Sequence, residues 1–184
     1  MQTHSFKMFV GPMFGGKTTK LLAEIDRLKY KKKNVCLFKP MIDNRYDENA
    51  IVSHNGIKHN AISVATGDDI LKIVLDVENS LDVIAVDEAF MINDCADALV
   101  YMFKRRKSIL VSSLDLSASY APFHEITKMM PYATKIVKCP AICHECEEDA
   151  YYTECCIQKN EEILVGGGDI YRPVCFKHYS MLKS

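Results

Sequence analysis

The stretch that most constrains this chain is Gly11-Pro12-Met13-Phe14-Gly15-Gly16-Lys17-Thr18, set directly after the apolar run Phe6 to Val10. It fits G-x-x-x-x-G-K-[ST], the spacing of a phosphate-cradling loop. Glycines at these places let successive backbone N–H groups turn inward and approach phosphate oxygens with no Cβ in the way. Lys17 supplies a mobile positive charge for the β- and γ-phosphates of a nucleotide, and the Thr18 hydroxyl suits a Mg²⁺ ligand. A helix starting there points its positive dipole end at the anion, worth roughly 0.3–1 kcal/mol and about 2 kcal/mol when partly buried. The flanks agree with this reading. A buried strand precedes the loop, and Leu21, Ile25 and Leu28 form an i, i+4, i+7 apolar stripe after it.

From this start the rest of the chain reads as α/β. Strands are expected at 5–10, 35–39, 81–86, 108–113 and 134–138, and helices at 17–31, 66–77, 93–106 and 122–130. Inward faces are Ile70, Ile73, Val74 and Val77 in one helix and Ala96, Leu99, Val100 and Phe103 in the next. Between 41 and 64 the chain is polar and turn-rich. His54-Asn55-Gly56 looks like a hairpin tip with arms Ala50 to Ser53 and Ile57 to Val64. Strands alternating with helices at this rhythm imply a parallel sheet covered on both faces. Composition changes at Cys139, which divides an expected core domain, 1–138, from a small tail, 139–184.

Two further clusters carry chemistry. Leu81-Asp82-Val83-Ile84-Ala85-Val86 ends in Asp87-Glu88, and in parallel sheets ligands gather at the carboxyl ends of strands. Asp87 is placed to hold Mg²⁺ beside Thr18, directly or through a water. Glu88, one residue on, is free to accept a proton from an attacking hydroxyl. In the tail, Cys143-His144-Glu145-Cys146 and Cys175-Phe176-Lys177-His178 are C-x₂-C and C-x₂-H knuckles, the pattern of a closed structural zinc site. Cys143, Cys146, Cys175 and His178 are the expected ligands, with Cys139, Cys155, Cys156 and His144 as competitors. The tail is too short to bury a core of its own, so a metal is its expected staple.

Charge bounds the partners. With 23 Lys+Arg against 24 Asp+Glu the net charge is −1, which does not favour a duplex nucleic-acid binder. No signal-peptide core and no membrane-length apolar run is present, so the expectation is a cytoplasmic protein with no membrane partner. Eight cysteines in that setting point to metal or free thiols rather than disulfides.

The motifs together carry a resemblance. Gly11 to Thr18, Lys39-Pro40, Asp43-Asn44-Arg45, Val86-Asp87-Glu88-Ala89, Leu114-Asp115, Gly166 to Tyr171 and the two knuckles occur in an order that resembles the type II thymidine kinase family over nearly the whole chain. The resemblance implies a P-loop NTPase-type sheet flanked by helices, plus a zinc ribbon. It implies transfer of the γ-phosphoryl group of ATP to the 5′-hydroxyl of thymidine with Mg²⁺, a salvage step toward DNA precursors. Glu88 becomes the base and Asp87 a metal-side carboxylate, and Asp43 and Arg45 lie near the phosphates. Cys156 to Tyr171 resembles a lasso loop over the base. There the main chain of Glu162, Ile163, Leu164, Val165 and Gly166 reads the base edge and Tyr171 closes the pocket. Met13, Leu114, Ala118, Tyr120, Phe123 and Met91 are candidates for the pocket wall. A homotetramer and feedback by dTTP are further implications.

This chain leaves the family pattern in two places. Phe90 stands where the family has glutamine, and after Leu114-Asp115 the family's glycine and phenylalanine become Leu116 and Ala118. The altered loop motivates a rival reading, a kinase of the same build for another deoxynucleoside. A nucleotide-sensing zinc protein without turnover is a second rival. A helicase-like motor fits poorly, since there is no second motor domain and no basic stripe to track a strand.

Overall fold

In the computed structural model, which describes residues 4–42, 50–52, 58–156 and 170–179, the apolar runs lie side by side. β1 (Phe6–Val10) passes through the glycine-rich loop into α1 (Lys17–Tyr30), and β2 (Val35–Pro40) follows. β3 (Ala50–Val52) and β4 (Lys58–Asn60) pair antiparallel ahead of β5 (Ile62–Val64) and α2 (Gly67–Asp76). Then come β6 (Val83–Val86), α3 (Cys95–Lys104), β7 (Ser108–Ser113), α4 (His124–Met129) and β8 (Lys135–Lys138). The tail contributes β9 (Ala141–Ile142), β10 (Asp149–Ala150), β11 (Tyr152–Cys155) and β12 (Tyr171–Val174).

The main sheet runs β5-β2-β6-β7-β1-β8, parallel at every pairing. Strand side chains alternate between two cores, as the pleat requires. Phe6, Met8, Val10, Ile84, Val86, Ile109 and Val111 face α2, α3 and α4, where Ile70, Val74, Leu99 and Met102 meet them. Phe9, Val83, Ala85 and Leu110 face α1 and its stripe of Leu21, Leu22 and Ile25. Both faces are thus buried, which is why these strands read as unbroken apolar runs. α2 is fixed at its start by a capping box. Asp69 N–H donates to the Thr66 hydroxyl at 3.3 Å, and Thr66 N–H donates to the Asp69 carboxylate at 3.0 Å.

Two expectations change. The stretch 57–64 is not one hairpin arm: Lys58–Asn60 pairs with Ala50–Val52, while Ile62–Val64 joins the main sheet beside β2. Buried Ala61 is the break, because Val64 must reach the core against α2 and a continuous arm would carry it away from there. Val77 is not part of the buried face of α2; it ends the helix and is exposed. The expected hairpin tip His54-Asn55-Gly56 lies outside the described residues.

Cys139 continues β8. Its N–H donates to the Val10 carbonyl at 2.8 Å, and it packs wholly buried on the α1 side of the sheet. Beyond it, two antiparallel pairs, β9 with β10 and β11 with β12, enclose a small core of Ala141, Cys143, Ala150, Val174 and Tyr179. Among the described residues, no helix is long and apolar enough to cross a membrane.

Candidate active site

Register brings the loops after β1, β6 and β7 to one edge, since Val10 lies opposite Ser113 and Val86 opposite Val111. The glycine-rich loop is shaped by two constraints. A Cβ on Gly11 or on Gly15 would fall 2.4 Å from the Cys139 carbonyl oxygen, so the loop rests directly on the backbone at the end of β8. Gly16, which precedes α1, has φ 68°, a left-handed turn that glycine adopts without penalty. Lys17 curls back, and its Nζ donates to the Pro12 carbonyl at 2.6 Å inside the loop. Burial lowers its pKa from the ordinary lysine value, against the raising effect of the Glu88 and Asp87 charges.

Thr18 and Asp87 meet across the edge, the hydroxyl lying 3.0 and 3.1 Å from the two carboxylate oxygens. Ser112 donates a short hydrogen bond to the same carboxylate from the neighbouring strand. Burial, then the adjacent Glu88 charge, pushes Asp87 up to about 7, against the Ser112 and Thr18 hydroxyls and the Lys17 charge. A buried carboxylate that shares its oxygens with a hydroxyl next to a phosphate loop fits a divalent cation of the Mg²⁺ type, with oxygen ligands. Glu88 turns the chain with φ 49° and ψ 45°, the left-handed region that is costly for a non-glycine residue and is found at functional sites. Its charge nevertheless acts on both Asp87 and Lys17, so the two carboxylates and the lysine share one site.

Beyond Glu88 a short turn, Ala89–Met91, packs Phe90 on Phe123, ring centroids 4.4 Å apart, and Phe90 N–H donates to the Ser113 hydroxyl at 3.2 Å. Met91, Leu114 and Phe123 pack against the same core cluster. The loop 114–123 winds round Ser117, whose N–H donates to the Ala121 carbonyl at 2.8 Å and whose hydroxyl accepts from the N–H groups of Ser119 and Ala121. Asp115, at its start, pairs with Lys138 at the end of β8. Tyr120 does not point at the sheet: its ring lies 5.8 Å from that of Tyr152 and 5.7 Å from that of Tyr179.

In the tail, Cys143, Cys146, Cys175 and His178 offer four ligand atoms within 4.8 Å of one another. Cys146 Sγ and Cys175 Sγ are 3.8 Å apart, and His178 Nδ1 is 3.8 Å from Cys143 Sγ and 3.3 Å from Cys175 Sγ. Metal–sulfur bonds of about 2.3 Å in a tetrahedron give an edge of about 3.8 Å, so the set fits an ion such as zinc. Burial raises the Cys143 thiol, but the N–H groups of Cys175, Glu145 and Cys146 and the His178 ring outweigh it and bring the group down to about 6. Cys139 lies under the phosphate loop, and none of the eight cysteines forms a disulfide. Tyr171 is buried in β12 opposite Cys155, and Cys156 N–H donates to the Ile170 carbonyl at 2.8 Å, so the two ends of the expected lasso meet. Asp43, Arg45, Glu162, Ile163, Leu164, Val165 and Gly166 lie outside the described residues.

Sequence reasoning missed Ser112, Lys138, Thr153 and Tyr179. Thr153 Oγ1 accepts the N–H of Met13 in the phosphate loop at 3.0 Å, and Tyr179 donates to the Ala118 carbonyl at 2.7 Å. Only Ser112 left a signal, as half of the serine pair that closes an otherwise apolar strand.

A parallel sheet whose first strand enters a phosphate loop, faced by a carboxylate at the end of another strand, defines a P-loop nucleotide-binding protein. A family model described as thymidine kinase matches residues 4–179. A thymidine kinase from Pyrobaculum aerophilum is 32% identical over 179 residues, covering 94% of this chain and 96% of that protein. The chain belongs to the thymidine kinase family.

Proposed function

We propose that this protein transfers the γ-phosphoryl group of ATP to the 5′-hydroxyl of thymidine, giving dTMP and ADP. The observation that carries the reading is the Thr18–Asp87 pair beside the phosphate loop, with Glu88 the next residue along, in a chain of this family. The loop 11–18 wraps the phosphates, and Lys17 exchanges its bond to Pro12 for phosphate oxygens. Thr18 and Asp87 would hold Mg²⁺, which would supply positive charge to the β- and γ-phosphates. Glu88 takes the 5′-hydroxyl proton as the oxygen bonds to the γ-phosphorus and the bond to the β-phosphate oxygen breaks, releasing ADP. Asp43 and Arg45 complete the phosphate side. Met13, Met91, Leu114, Ala118 and Phe123 wall the base, with Tyr120 at the outer rim and the main chain 162–166 and Tyr171 above.

Zinc at Cys143, Cys146, Cys175 and His178 holds the tail, 139–184, as a structural unit. A homotetramer, inhibition by dTTP and a cytoplasmic location, where free thiols stay reduced, belong to the same reading. The test is ATP consumption and product analysis with thymidine, other deoxynucleosides, single-stranded DNA or no acceptor. Formation of dTMP is expected. A second reading, a kinase for another deoxynucleoside, is favoured by Ala118 and Phe90, and deoxycytidine as the best substrate would establish it.

A further inference from the structure

Tyr179 follows the ligand His178 directly, yet its side chain has no part in the metal site. It is the largest of the fully buried side chains, stacked on Tyr152 at 5.0 Å with the rings 12° from parallel. Its hydroxyl leaves the tail and donates to the Ala118 carbonyl at 2.7 Å, across a sequence separation of 61. The acceptor lies on a loop whose other bonds are mostly its own, centred on Ser117. Outside the loop, Lys138 grips Asp115 at the start, and Tyr179 grips the middle. Tyr120, two residues past the acceptor, adds its ring to the same tyrosine cluster from a left-handed backbone position, φ 63°.

We propose that Tyr179 is a positioning residue for the nucleoside: its hydroxyl, through the Ala118 carbonyl, fixes the loop 114–123 that walls the base. This rests on the kinase reading above, in which that loop contacts the nucleoside. The ring and the hydroxyl do separable work. The ring fills the small core of the tail, where Ala141, Cys143, Ala150 and Val174 surround it. The hydroxyl reaches the loop. With Ala118 in place of a larger side chain, the loop has little of its own to lean on there, and the carbonyl contact carries more of its placement. The phosphate loop has a separate link to the tail through Thr153, so loss of the Tyr179 hydroxyl acts on the base side alone.

The experiment uses the full-length, metal-replete protein and Tyr179→Phe, which keeps the ring and removes the donor. Steady-state constants are measured for ATP and for the deoxynucleoside the wild type phosphorylates best, with amide exchange across 114–123 and elemental analysis for metal. The nucleoside KM should rise about 3- to 10-fold, the effect of one net hydrogen bond, while kcat and the ATP KM stay put. Amides of Ser119, Tyr120 and Ala121 should exchange faster, with metal content unchanged. An unmoved nucleoside KM, a parallel rise for ATP, or loss of metal would each overturn the proposal. Preference of the wild type for deoxycytidine would defeat the thymidine reading but leave this comparison intact. If the wild type phosphorylates no nucleoside, the kinase reading falls, and unaccelerated exchange would then overturn the anchor independently.

Discussion

At Gly11 and Gly15 an added Cβ would press on the Cys139 carbonyl, whereas at Gly16 it would meet nothing within 4 Å. Gly15→Ala therefore forces backbone against backbone with no side chain able to give way, and overpacking of this kind costs about 1–3 kcal/mol. Its denaturation midpoint should fall and its ATP affinity with it. A midpoint equal to that of the wild type would show that the loop can slide off its support. Lys17→Ala removes an ammonium whose bond in this structure is to the loop's own Pro12 carbonyl, so the core is untouched. Turnover should vanish while the far-UV circular dichroism spectrum is kept, and near-normal turnover would sink the phosphate-loop assignment. Glu88→Gln isolates the proton step. Affinity for ATP and nucleoside should hold while kcat drops at least ~10²-fold. Lost affinity with unchanged kcat would instead make Glu88 a metal ligand.

The tail is an element with a core of only a few residues, Ala141, Cys143, Ala150, Val174 and Tyr179, and four groups that could hold a metal, so the metal is expected to carry much of its stability. Cys146→Ser should lose the metal by elemental analysis and loosen 139–179. Nucleoside binding should fail before ATP binding, because Tyr179, Tyr152 and Tyr120 tie the tail to the base-side loop while one bond from Thr153 ties it to the phosphate loop. A full metal complement in that variant would move the fourth ligand to Cys155 or Cys156, since Cys139 is buried under the phosphate loop. At this scale the sequence was most readable where burial is continuous or periodic. The strands Ser108–Ser113 and Phe6–Val10 stand out as apolar runs because both faces of the sheet are covered, and the stripe on α1 because the helix imposes a fixed spacing. The break at Ala61 was not readable, since both neighbouring strands are three residues long and give no period. The site divides in the same way. Lys17, Thr18, Asp87 and the four ligands sit in local motifs. Ser112, Thr153 and Tyr179 gain their roles only from partners brought near by topology, Met13 and Thr153 being separated by 140 residues in sequence.

For the whole molecule the question is what a base meets at the junction of sheet and tail. Where the resemblance implies a phenylalanine and a glutamine, this chain has Ala118 and Phe90. Phe90 does not replace the missing ring at the loop: it is buried against Phe123, and its N–H is tied to Ser113. Nor does Tyr120 stand over the gap in this structure, since its ring belongs with Tyr152 and Tyr179. On the proposed reading, the loop offers only a methyl group at position 118, where the resemblance implies a stacking ring. Stacking on a base in nucleic-acid sites is worth about 1–3 kcal/mol, which sets the scale of what Ala118→Phe can restore. The proposed reading of the base edge by the main chain 162–166 depends on backbone and not on the residue at 118, so thymidine is expected to remain the preferred substrate of the wild type. The open wall should admit bulkier 5-substituted deoxyuridines. Comparing kcat/KM for thymidine, deoxyuridine, a 5-substituted analogue and deoxycytidine in wild type and Ala118→Phe tests both halves of the argument. The variant should gain on thymidine by about 5-fold or more and lose on the bulky analogue. If it loses on both, position 118 is packed against the protein and the space for the base lies elsewhere, on the Met91 and Leu114 side of the pocket. Tyr120→Ala separates the remaining possibility. A fall in thymidine kcat/KM there, with metal content kept, would mean that this ring leaves the tyrosine cluster and covers the base when the nucleoside binds.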